Sequence, residues 1–366
     1  LFVSQLKLVT EKLHDPELES SGIVQLNASI SMSKDEFVDQ FGLFRIVPLS
    51  PMWFMDAISY VTVSEGESSA SDSCPLHSPL GLWIRDQLPD CVELVSIKVT
   101  NTPHLKNAFE EHIKRLQYRR SARKSVFNFD FSKSIQGDPP STGDIVRDRV
   151  ACLNQLKQLI TKSEFHGLVD PANVLLLWHG ISNCDVMKSI FTETGLVSLG
   201  KGNDNGYFGN GIYLTPQSEY ALGYSTGTVK HGELPNETDL FQLVLCATVI
   251  GQAYPVTIAG DYTQPSGLNG RFEPDDCKLY GQPLLTNPKC DAHFAQVTVS
   301  SGYHSTSVPG NYDFEEIVVD NDASVLPFAR VTVRIISEGA FLEMHKPLKQ
   351  RVMHVSEVGA EGRKPL

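Results

Sequence analysis

Three short stretches carry residue types suited to chemistry. His179 and Gly180 close the apolar run Val174-Leu-Leu-Leu-Trp178, Tyr213 closes the glycine-rich stretch Tyr207-Phe-Gly-Asn-Gly-Ile-Tyr213, and Glu315-Glu316 opens the β-branched run Ile317-Val-Val319. An imidazole donates or accepts a hydrogen bond, a phenol offers a flat face, a carboxylate supplies fixed negative charge, and glycine lets main-chain groups approach a ligand closely. Combined, they form a catalytic signature in which an anion can stabilise developing positive charge while rings and backbone groups hold a flat partner. Taken singly, His179 and Tyr213 read as core side chains. On a strand, moreover, Glu315 and Glu316 must face opposite sides.

The elements around these residues follow from local pattern. Cys91 to Val99, Val174 to Trp178, Leu240 to Ile250, Phe314 to Val319 and Ala329 to Ile336 are β-rich runs. Thr102-Pro103 opens a helix on which Leu105, Ala108, Phe109, His112 and Leu116 share a face, and Val150, Leu153, Leu156 and Ile160 mark a second. Asn183 caps a helix running to Phe191 and ended by Gly195, and Thr215-Pro216 opens another through Tyr224. The glycines between Gly200 and Gly211 lack GxGxxG spacing and return to a strand, which makes a poor match to the usual dinucleotide loop. Upstream, Ser33 and Glu36 have capping-box spacing before Gly42, and Ser64 to Ser73 reads as a loop or linker.

Three blocks carry a resemblance to a known family. Leu175-Leu-Leu-Trp-His-Gly180, Tyr207-Phe-Gly-Asn-Gly-Ile-Tyr-Leu214 and Phe314-Glu-Glu-Ile-Val-Val-Asp320 resemble, in order, the catalytic blocks of the poly(ADP-ribose) polymerase (PARP) family. The likeness extends from Val99-Thr-Asn-Thr-Pro-His-Leu105 to the terminal strands, covering roughly residues 92 to 337. It implies an α+β ADP-ribosyltransferase fold with two packed, mainly antiparallel sheets around an NAD cleft. The expected domains are a small α+β unit over 1–91 whose role the sequence does not state, the catalytic domain over 92–345, and a polar tail over 346–366.

The resemblance also implies roles. Glu315, with Glu316 as the fallback, bonds the nicotinamide-ribose 2′-hydroxyl and stabilises an oxocarbenium-like transition state, while His179 anchors the adenosine-side ribose. The Gly180 backbone binds the carboxamide, and Tyr213 and Tyr224 sandwich the nicotinamide; Ser218 and Tyr207 complete the expected NAD+-binding set. Two positions depart from the family: Ile181 stands where Ser or Thr is usual, and Ala221 where many members carry a Ser that bonds the carboxamide. The reading is transfer of ADP-ribose from NAD+, as substrate, to a protein acceptor that could be the chain itself, with mono-transfer favoured. Residues 251 to 312 read as a long Pro/Gly-rich insertion where the family places its acceptor-side loop. A silent ADP-ribose or partner-binding module and an NAD+ glycohydrolase are the rival readings.

Bulk properties narrow the classes. A net charge of -12 argues against broad phosphate neutralisation, so strong nucleic-acid binding is not expected. The basic run Lys114, Arg115, Arg119, Arg120, Arg123 and Lys124 reads as a solvated helix face, with a polyanion site as the alternative. No apolar run approaches the roughly 20 residues of a membrane helix. Seven scattered cysteines read as reduced thiols in an intracellular protein. Cys277, Cys290 and His293 lack a fourth ligand, and no metal is expected. Leu1 in place of Met implies processing or truncation, so upstream signals are not readable.

Overall fold

The computed structural model describes most residues between Ser73 and Met344. Residues 1–72 and 345–366 lie outside the described set, as do 123–129, 134–142, 164–171, 198–205, 228–238, 267–273, 285–289, 299–304, 307–312 and a few single positions. The helix expected after Ser33, most of the Ser64 to Ser73 stretch and the polar tail fall there. All described residues belong to one compact unit within Pro48–Leu366.

The architecture is α+β with two mainly antiparallel sheets. The first sheet has the order β1-β2-β10-β5-β3, from β1 (Ser73–Cys74), β2 (Val92–Val99), β10 (Val325–Ile335), β5 (Leu240–Val249) and β3 (Val174–Gly180). The second has the order β4-β9-β7-β6, from β4 (Ile212–Leu214), β9 (Phe314–Val319), β7 (Ala292–Thr298) and β6 (Ala253–Val256), with β8 (Ser305–Thr306) also on β7. Only the β6–β7 pair is parallel among the described strands.

Seven α-helices surround these strands among the described residues: α1 (Pro79–Gln87), α2 (Pro103–Ala122), α3 (Gly143–Lys162), α4 (Cys184–Ser189), α5 (Ser218–Ser225), α6 (Ile258–Asp261) and α7 (Glu338–Met344). Helices α1 and α2 cover the outer face of the first sheet, where Ile84, Phe109, Ile113 and Leu116 meet Ile97, Trp178, Leu245 and Val331. Between the sheets, Leu175, Leu177, Val244 and Cys246 meet Ile212, Leu214, Phe294, Ile317 and Val319. Alternation along β3 thus sends even residues outward and odd ones to the interface, so both faces need apolar side chains. Full burial of each Leu, Ile or Val stabilises by roughly 1.5–3 kcal/mol. No helix among the described residues is long and apolar enough to cross a membrane.

Three local expectations need amendment. The helix after Thr215-Pro216 begins only at Ser218, because Thr215 gives both main-chain groups to a bridge with Trp178 and cannot also start a helix. The helix expected to run to Phe191 is α-helical only to Ser189, where α4 gives way to a π-turn over Ile190–Thr194 before Gly195 at φ 66°; its expected cap, Asn183, lies outside the described residues. The stretch 251–312 holds the strands β6, β7 and β8, with β7 central in the second sheet.

The basic run is partly spent on structure. Buried Arg120 pairs with Asp291, Arg115 donates to His112 Nδ1 at 2.6 Å, and exposed Lys114 meets Glu111 at 2.8 Å. Arg123 and Lys124 lie outside the described residues.

Candidate active site

The three sequence blocks meet along one line of main chain. Trp178 and Thr215 form an antiparallel bridge, β4 pairs with β9 so that Tyr213 lies opposite Val318, and β3, β4 and β9 therefore run side by side. His179 extends the link: its Nδ1 lies 2.7 Å from the Tyr213 carbonyl oxygen. A carbonyl only accepts, so Nδ1 carries the proton and the lone pair resides on Nε2. Burial pushes this imidazole below its ordinary range, which keeps the ring neutral.

Gly180 explains itself by contact. A Cβ built there would collide with the Ala221 carbonyl oxygen and sit 2.9 Å from Tyr224 Cβ, so β3 and α5 touch as only glycine permits. Ser225 ties the same corner, accepting the Ile181 amide at 3.1 Å and donating to the Gln242 carbonyl at 2.7 Å. The structure thus gathers Gly180, Ala221 and Tyr224, the positions at which the family resemblance implies contacts to the nicotinamide carboxamide and ring.

Tyr213 is pinned through its hydroxyl. It donates to the Gly209 carbonyl at 2.9 Å and accepts the Phe208 amide at 2.8 Å, with Gly209 at φ 109° shaping the loop. Tyr207 packs edge-on to Tyr280 at 6.0 Å, and Tyr224 edge-on to Tyr220 at 5.5 Å. These tyrosines share a cluster with Phe208, Phe314 and Val318 on the outer face of the second sheet. Ser218 is committed elsewhere: buried, it donates to the Gln87 carbonyl of α1.

The two glutamates divide as strand alternation requires. Glu316 lies on the tyrosine face and accepts from the Tyr220 hydroxyl, whose ring stacks on Phe314 at 4.6 Å. Glu315 takes the side of Ile317, toward the sheet interface and α3. Both are buried, 2% and 3% exposed. Gln155 Nε2 donates to Glu315 Oε1 at 3.0 Å, Gln217 Nε2 donates to Oε2, and the Glu315 amide donates to Gln217 Oε1 at 3.2 Å. The Glu315 charge is felt nearby, adding to the burial that raises the Cys152 thiol and the Glu219 carboxyl.

Thus His179, Tyr213 and Glu315 stand on adjacent strands, but Tyr213 and Tyr224 lie in the cluster on one face of the second sheet and Glu315 points to the other face. No family model matches the chain, and no curated protein does. A cavity of about 130 Å³ lies at the other end of β3, between Trp83, Leu159, Leu176 and Pro216, away from Gly180.

Among the described residues no three His, Cys, Asp or Glu side chains gather as metal ligands. Cys277 and Cys290 are buried in the aromatic cluster, and His293 Nδ1 donates to the Phe208 carbonyl at 2.5 Å. Sequence reading missed Gln155, Gln217, Tyr220 and Ser225. The available signals were slight: Gln217 sits where a helix cap belongs although glutamine caps poorly, and Tyr220 precedes Tyr224 by one helical turn.

Proposed function

We propose that the chain has the ADP-ribosyltransferase fold and transfers ADP-ribose from NAD+ to a protein acceptor, with mono-transfer favoured. The observation carrying this reading is the junction at Gly180: it touches Ala221 and Tyr224, while the next strand over brings Tyr213 under His179. A flat nicotinamide fits such a corner of backbone and tyrosine.

The step balances simply. The bond between ribose C1′ and the nicotinamide nitrogen breaks, its electron pair leaves with neutral nicotinamide, and C1′ gains positive charge. An acceptor oxygen or nitrogen then bonds C1′ through its lone pair and releases its proton to water. Glu315 supplies fixed negative charge through a bond from the ribose 2′-hydroxyl, and neutral His179 offers Nε2 as an acceptor for the adenosine-side ribose. With Ala221 lacking a hydroxyl, the carboxamide forgoes one bond, which costs about 0.5–1.5 kcal/mol of affinity.

A silent ADP-ribose-binding module is the second reading, favoured by the two glutamines that occupy both oxygens of Glu315. NAD+ labelled in its adenylate half separates the outcomes. Label in protein without a ladder supports mono-transfer, a ladder means elongation, and free ADP-ribose means hydrolysis. No turnover together with ligand binding establishes the silent module.

A further inference from the structure

We infer that Gln217 is a positioning residue for Glu315, locking the carboxylate to the start of the helix that carries Tyr224, while Gln155 covers the other oxygen. The inference rests on the transferase reading and deepens it.

Geometry fixes which amide atom goes where. The Glu315 main-chain N–H can only donate, so the Gln217 atom 3.2 Å away is Oε1. The Thr215 hydroxyl donates to the same Oε1 at 2.8 Å and accepts the Gln217 amide at 3.1 Å, closing a ring of bonds around the side chain. Nε2 must then face the Glu315 carboxylate and donate to Oε2. Gln217 occupies the N-cap of α5 yet makes no capping bond with its side chain. Its hydrogen bonds are spent on Glu315 and Thr215 instead.

Neutral donors suit the proposed chemistry. Among the described residues no lysine or arginine pairs with Glu315, so the amides orient the carboxylate without cancelling its charge. A full negative charge then remains for the cationic transition state. Gln217 also spans the two faces of the site, since Glu315 points toward α3 while Tyr224, seven residues on along α5, lies in the tyrosine cluster. Gln155 differs in kind. It comes from α3 and binds Glu315 Oε1 by a single donor, which leaves that oxygen a lone pair for a ribose hydroxyl.

The test compares Gln217→Met, Gln217→Glu and Gln155→Met in the labelled-NAD+ assay, with thermal melts in benzamide alongside. Gln217→Met should lower kcat about 10- to 100-fold, the scale of losing a hydrogen bond to a charged group, with KM for NAD+ changed less than about twofold. Its benzamide-induced rise in melting temperature should persist, because Gly180 and Tyr224 are untouched. Gln217→Glu keeps the length and the acceptor oxygen but sets a second carboxylate against Glu315, so lost donation and like-charge repulsion should together lower kcat at least as far, even if the Met variant folds poorly. Gln155→Met removes a single donor from Glu315, so its kcat should fall by less than that of either Gln217 variant. An active parent whose Gln217→Met and Gln217→Glu forms keep kcat within about twofold overturns the inference, and so does a Gln155→Met loss equal to theirs. A parent that turns over no NAD+ instead sinks the transferase reading, and the inference with it.

Discussion

Trp178 and Thr215 exchange two main-chain hydrogen bonds, at 2.7 Å and 3.0 Å, across the seam between the sheets. Each lies on or beside an edge strand, β3 in the first sheet and β4 in the second, so the bridge satisfies groups that an open edge would leave exposed. It also sets where His179 and Tyr213 stand, one residue after Trp178 and two before Thr215. The candidate site is therefore a product of sheet joining.

Trp178→Ala should loosen that seam. The indole is 1% exposed and stacks on Trp83 at 6.2 Å, so its removal should cost about 3–5 kcal/mol, as for other large buried side chains. Denaturant unfolding reads the loss as a lower midpoint, and a change under about 1 kcal/mol would show that the bridge holds without the ring.

Gly180→Ala should separate ligand binding from folding. The added methyl collides with the Ala221 carbonyl, so β3 and α5 must part, at about 1–3 kcal/mol for overpacking. A benzamide-type ligand should raise the melting temperature of the parent by mass action and fail to raise that of Gly180→Ala or Tyr224→Ala. A full shift in both variants would place the ligand elsewhere.

Much of this was legible in the sequence where the cause is local. The strands β2, β3, β5, β9 and β10 follow from β-rich runs, and α2 from its helical stripe. The start of α5 was not legible, because Thr215 is committed to a residue 37 positions earlier in the chain. Gln155 and Gln217 reach Glu315 across 160 and 98 positions, and no periodicity encodes such a pairing. The strands β6 and β7 were hidden by Pro/Gly-rich flanks, and by His293 and Gln296, polar residues that the fold buries. Strand alternation foretold that Glu315 and Glu316 would part; which face meets the tyrosines needed the register of β4 on β9.

Stability should fall on acidification from neutral pH. Burial, with Arg115 adding, lowers His112 to about 4, and burial lowers His293 to about 4, both against an ordinary value near 6.5. Each must stay neutral in the fold, so its contribution is present above about pH 6.5 and is lost as pH falls toward 4, at most roughly 1.4 kcal/mol per pH unit per histidine. Asp261 acts oppositely: burial raises it to about 6, so its contribution is fully present below about pH 4 and lost as pH rises through 6. His179 is also lowered and Glu219 also raised, so with three histidines against two carboxyls denaturant midpoints should drop between pH 6.5 and 4.5, and His293→Gln should flatten that slope. A midpoint that rises over the interval would contradict the assignment.

Glu315→Gln should keep NAD+ binding and lose most transfer. The amide preserves shape and one acceptor oxygen but removes the charge that stabilises a cationic transition state, so the loss should appear in kcat more than in KM. A fall of about 10²-fold or more is the scale for losing one electrostatic stabiliser. Glu316→Gln is the informative partner, because the structure places that carboxylate on the tyrosine face, bonded to the Tyr220 hydroxyl. Its loss should register as a lower melting temperature, with kcat largely kept. If Glu316→Gln is the inactive variant and Glu315→Gln the active one, the catalytic anion lies beside Tyr220 and the last block must be read one residue later. If both remain active, neither carboxylate supplies the charge, and the His179, Tyr213 and Glu315 reading fails.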